Sequence, residues 1–91
     1  MDAPTAWKQC FLHWPEAVPR KGILVTMFDE QIPFDGFAAG EELLIVDRRT
    51  PDSLGARRIL LAYGQIAAIK LVDVVKLAAF ESLGFRIPAK V

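Results

Sequence analysis

One cysteine and one histidine are all the thiol and imidazole chemistry that this chain of 91 residues offers to a metal. Cys10 and His13 have the spacing of half a metal site, but a closed tetrahedral zinc site needs four ligands and no second Cys or His completes it. They read instead as helix residues facing core and solvent. A Cys-His nucleophilic pair on one helix lacks a third, orienting group. The lone cysteine also excludes an internal disulfide framework and points to a reducing compartment, the cytoplasm. Asp29 with Glu30, and Glu41 with Glu42, fall in predicted turns, where carboxylates are solvated. The stretch "GFAAGE" has neither the lysine nor the following helix of a phosphate-binding loop. No enzymatic activity, metal or cofactor is expected.

Long apolar runs are missing too. None approaches the roughly 18 residues that a bilayer-spanning helix requires, and "MDAPTAWKQC" lacks the charged and apolar regions of a secretory leader. No membrane association is expected. Eleven basic residues balance eleven acidic ones, so the summed field attracts neither phosphate backbones nor anionic lipid, and any nucleic-acid site must be local.

What the chain has in plenty is apolar side chains: 53% of its residues, with a mean hydropathy of +0.29. Ninety-one residues suit one domain with a thin core. The apolar excess over what such a core can hide points to self-association. Near the start, Trp7, Phe11 and Trp14 recur with the period of one helical face. A short N-terminal helix is predicted, ending before Pro15 because a residue preceding proline is pushed out of the α region. Its aromatic stripe is expected to pack on the body of the domain.

From Gly22 the period changes. "GILVTMF" and "QIPFDGF" read as a hairpin whose turn lacks the Asn-Gly or Asp-Gly of a two-residue loop, so a longer connection is expected. Gly36 marks a bulge or sharp bend in the second strand, and Pro33, which cannot donate to a ladder, implies an edge or irregular position. "LLIVDRR" and "RRILLAY" form a second hairpin, apolar on both faces and therefore expected to be covered on both. A fifth strand lies around Ile69 to Val72. Five short strands with tight turns suggest a small antiparallel barrel, its core about residues 22–73, within a single domain 1–91. "DVVKLAAFESLGF" reads as a C-terminal helix with Asp73 as N-cap and Gly84 as the stopping glycine. β-propensity also allows a strand continuing through Val74 and Val75.

The run "ILVTMFDEQIPFDGFAAGEELLIVD" resembles the first motif of the Sm and Sm-like family, with Gly36 at that motif's strand glycine. "RILLAYGQIAAI" is similar to the second, with Gly64 at its glycine and Ile66 and Ile69 as the apolar residues after it. The likeness covers about Gly22 to Leu71, and other SH3-like small barrels share such a string. It implies a strongly bent five-stranded barrel after an N-terminal helix, with the fourth and fifth strands of neighbouring subunits pairing edge to edge into a ring. It also implies RNA-contacting loops at Gly40, Glu41 and Glu42 and at Tyr63, Gly64 and Gln65. The chain departs from the family there. Paired glutamates repel phosphate, and Tyr63 stands where the eukaryotic pattern has arginine, although a tyrosine can stack on a base and Gln65 can read a base edge.

"RRTPDSLGARR" puts Arg48, Arg49, Arg57 and Arg58 at facing strand ends around a polar turn. They read either as a charged tip that keeps an apolar domain soluble, with Asp47 and Asp52 as compensation, or as a docking patch for an acidic protein segment or a phosphate. The expected function is a non-catalytic, self-associating assembly or regulatory unit. The alternative is a divergent Sm-like RNA-binding protein.

Overall fold

The structure, a computed structural model, describes residues 1–88. Helix α1 spans Ala3–Leu12, followed by strands β1 (Gly22–Thr26), β2 (Gln31–Ala39), β3 (Leu43–Arg48), β4 (Arg58–Ala62) and β5 (Ile66–Lys70). A 3-10 turn, Tyr63–Gln65, separates β4 from β5, and a longer 3-10 segment occupies Leu77–Leu83. No helix among the described residues is long and apolar enough to cross a membrane.

α1 begins where the Asp2 carboxylate accepts a hydrogen bond from the Thr5 N–H at 2.8 Å, satisfying one of the first turn's free donors. Pro4 sits in that first turn, where its missing N–H costs nothing. The helix stops two residues before Trp14, and the chain turns through Pro15, as expected from the proline. Phe11 is the one side chain of α1 that is fully buried. Its ring lies 5.4 Å from that of Trp14 and 4.9 Å, edge-on, from that of Phe37, while the Arg20 guanidinium lies over the Phe37 ring, 3.7 Å from its centroid. Trp7 and Trp14 pack against the core as well. The aromatic stripe therefore fastens α1 to the sheet.

All strand pairs are antiparallel, in the order β4-β3-β2-β1-β5. The first turn is held by a residue the periodicity does not single out: the buried Thr26 hydroxyl accepts from the N–H groups of Phe28 and Glu30, at 3.3 and 3.2 Å, and carries Asp29 at φ 64°. β2 serves two partners. Gln31 to Phe34 pair with β1, Phe34 to Ala39 pair with β3, and the register shifts between Phe34 and Gly36. The bulge expected at Gly36 is thus present, with Asp35 as the extra residue. Pro33 lies in an inner strand, not on an outer one, yet where the β2–β3 ladder ends. Its carbonyl takes the last bond, from Arg49 N–H at 3.1 Å, and no donor is required of it.

The expected barrel is not closed. The sheet has two free ends, β4 and β5, because the turn at Tyr63–Gln65 carries the chain away from β4 and delivers β5 to β1. Met27 N–H donating to Gln65 O at 2.8 Å secures that placement. The inner face collects Leu24, Ile32, Phe34, Leu44, Val46, Tyr63 and Ile66 around Phe11. The second face of β3 and β4, expected to be covered, is open: Leu43 is 45% and Leu60 61% exposed.

The C-terminal segment also departs from expectation. Asp73 caps nothing and instead stands 3.6 Å from Lys21 Nζ. The helical turn begins only at Leu77, is 3-10 rather than α, and has no fully buried side chain. β5 ends at Lys70, so the strand does not continue through Val74 and Val75. Gly84 does stop the segment, in the left-handed conformation at φ 92° that favours glycine.

Candidate functional site

The two loops that the sequence marks for ligand contact converge. Tyr63, at the start of the 3-10 turn, donates its hydroxyl to the Gly40 carbonyl at 2.7 Å across 23 residues of chain. Their meeting point, with the first turns of α1, forms a cleft of about 310 Å³ whose lining includes Thr5, Lys8, Glu41, Glu42, Tyr63 and Gly64. Gly64 lies under the helix start: a Cβ there would touch Pro4 Cγ at 3.6 Å.

The chemistry of this cleft differs from the expectation. Tyr63 is 4% exposed and its hydroxyl is engaged, so the ring is a core residue and offers no face for stacking on a base. Burial raises the pKa of its phenol. Gln65 is exposed and its carbonyl accepts from the N–H of Met27, just past the end of β1, rather than lining the cleft. Lys8, the cation here, is spent on Glu41 through a 2.6 Å contact that holds the Glu41 carboxyl below and the Lys8 ammonium above their ordinary values. Glu42 remains, and the cleft is left acidic, unsuited to phosphate. Lys8 is the residue that sequence reasoning misses. Nothing local to "TAWKQC" signals a carboxylate 33 positions away.

Tyr63→Phe is expected to lower stability by about 1 kcal/mol, the net worth of one hydrogen bond between a hydroxyl and a partly exposed carbonyl. Chemical denaturation of the two proteins would measure it. No change would mean that the two loops are held together by packing alone.

At the β3–β4 tip, Arg48, Arg57 and Arg58 line a shallow concavity of about 510 Å³ with Asp47. Arg49 is not part of it. Arg58 Nε donates to Asp47 Oδ1 at 2.8 Å, and Arg48 Nε donates to Thr50 O at 3.0 Å. Asp52 does not pair with an arginine. Its carboxylate accepts from the N–H groups of Leu54 and Ala56, both at 2.9 Å, which builds the turn and keeps its pKa low.

The two sheet ends are the remaining feature. Arg48 N–H donates to Arg57 O at 2.7 Å. By antiparallel alternation Ile59 and Leu61 direct their backbone groups at β3, while Arg58, Leu60 and Ala62 turn theirs away from the sheet. The same three residues have exposed side chains. β4 is thus an edge with free backbone groups and an apolar residue at its centre.

Cys10 is half-buried, and burial pushes its thiol pKa up. Among the described residues no group of three His, Cys, Asp or Glu is placed to hold a metal ion. Compared with protein-family models, with curated proteins and with solved structures, the chain matches none.

Proposed function

We propose that this chain is a non-catalytic β-sheet module that joins to copies of itself through its edge strands and serves as an assembly or regulatory interaction unit. The observation that carries the reading is the free edge at β4, with Leu60 61% exposed at its centre. An apolar edge left open would be an aggregation site, and natural sheets cover such edges or charge them. Pairing β4 of one copy with β5 of the next would satisfy both edges with a head-to-tail contact, which closes into a ring when the rotation allows.

Light scattering coupled to size exclusion tests this. At micromolar concentration the parent is expected to elute at a multiple of 10.1 kDa, insensitive to salt, and Leu60→Lys to elute as a folded monomer. A parent that runs as a single 10.1 kDa species would end the proposal. A second reading, a divergent Sm-like RNA-binding protein, is favoured by the convergence of the Gly40 and Tyr63 loops. Its signature would be RNA affinity that falls steeply with salt as phosphate counterions are released. The acidic cleft and the burial of Tyr63 count against it.

A further inference from the structure

We propose that the β3–β4 tip is a docking site for an extended acidic protein segment, its carboxylates held by Arg48, Arg57 and Arg58. Four arginines against two aspartates leave the stretch from Asp47 to Arg58 with two excess positive charges on a chain whose total is zero. The tip is built to keep that charge in place. Asp52 holds the turn through its carboxylate and through backbone bonds, Gly55 N–H to Asp52 O at 2.9 Å and Asp52 N–H to Ala56 O at 3.0 Å. The backbone bond between Arg48 and Arg57 then sets those two side chains on neighbouring strand ends. The Nε contacts of Arg48 and Arg58 orient their guanidinium groups, and among the described residues their terminal nitrogens make no hydrogen bond. Among the described residues Arg57 has neither a side-chain hydrogen bond nor a carboxylate within 4.0 Å. Planar guanidinium forks grip carboxylates with two parallel bonds, and pre-placed ones lose less freedom on binding.

Two observations favour a peptide over a nucleic acid. Asp47 sits inside the concavity, and a fixed negative charge there opposes a dense run of phosphates more than carboxylates spaced along a strand. The exposed apolar neighbour outside the β4 edge is aliphatic, Leu54 at 94% exposure in the turn. Single-stranded nucleic acid needs aromatic faces on which to stack its bases. A segment that alternates acidic and aliphatic residues would present both groups together, because alternate side chains of an extended chain share a face.

The test is fluorescence anisotropy at low salt with three labelled probes: a nonapeptide of alternating glutamate and leucine, the same peptide with glutamine for glutamate, and a single-stranded oligouridylate. The acidic peptide is expected to bind and the other two not to bind. Arg57→Ser is expected to weaken it by about tenfold, the scale of one charge-assisted contact. Replacing all four arginines by serine should abolish binding with the fold retained, at a stability cost of no more than about 0.5 kcal/mol for each of the exposed Arg49, Arg57 and Arg58. Arg57→Ser makes no demand on the fold, so it decides the matter even if the fourfold variant is damaged. The proposal is overturned if the acidic peptide fails to bind, if the glutamine peptide binds equally, or if Arg57→Ser leaves affinity unchanged. Tighter binding of the oligouridylate would assign the tip to nucleic acid instead.

Discussion

Replacing Phe11 by alanine is expected to destabilise the domain by about 3–5 kcal/mol, the range for removing a buried aromatic ring. Phe11 is 2% exposed and is the only fully buried side chain of α1, so the helix is attached chiefly through it. Its removal would leave Trp14 and Phe37 facing a void that neither can fill. The ring of Trp14 is held in place by its Nε1 donating to Val18 O at 3.0 Å, and Phe37 is fixed in β2. Small domains are stable by only about 5–15 kcal/mol. The variant should therefore unfold at a clearly lower urea concentration than the parent, and a urea titration would read the shift. A change of about 0.5 kcal/mol, that of an ordinary surface substitution, would mean that α1 does not rest on the sheet.

The second large effect is expected at Gly22, where a side chain has no room although the backbone angle is ordinary. A Cβ on Gly22 would stand 2.6 Å from the carbonyl oxygen of Lys70, a backbone atom that cannot rotate away. β1 and β5 would have to part beside the Ile23–Lys70 pair. Gly22→Ala is expected to cost about 1–3 kcal/mol, as overpacking does, and Gly22→Val more. Because β5 is bonded to β1 alone, amide exchange should show protection lost first in Ile66–Lys70 while β2 and β3 keep theirs. Gly64→Ala is the contrast. Its nearest contact, Pro4 Cγ at 3.6 Å, is ordinary van der Waals distance, and a small change is expected. Equal losses at Gly22 and Gly64 would refute the steric account.

These two glycines mark the division between what can be read from the chain and what cannot. Gly64 stands out in the sequence as a motif position, yet it tolerates a neighbour. Gly22 stands out only as the first residue of an apolar run, and its constraint comes from an oxygen 48 positions later. The same holds for the cleft. The sequence brings Gly40 and Tyr63 to notice separately, but the bond between them, the burial of the tyrosine ring and the pairing of Lys8 with Glu41 exist only once β2 has bent and α1 has settled over the turn.

The elements that the sequence by itself determined are those governed by the backbone sterics of a few adjacent residues. They include the end of α1 before Pro15, the bulge at Gly36, a β1–β2 connection longer than two residues and the stop at Gly84. Short apolar runs also placed the first four strands, being local patterns, whereas the fifth, expected around Ile69 to Val72, lies at Ile66–Lys70. Tertiary structure decided whether the sheet closes, which face of β3 and β4 stays open, and which arginines share a concavity. Those outcomes depend on where the three-residue turn at Tyr63–Gln65 sends β5 and on contacts between residues far apart in the chain. Composition and spacing carry no record of such distances. That is why the arginine tip was legible as a charge cluster and its geometry was not.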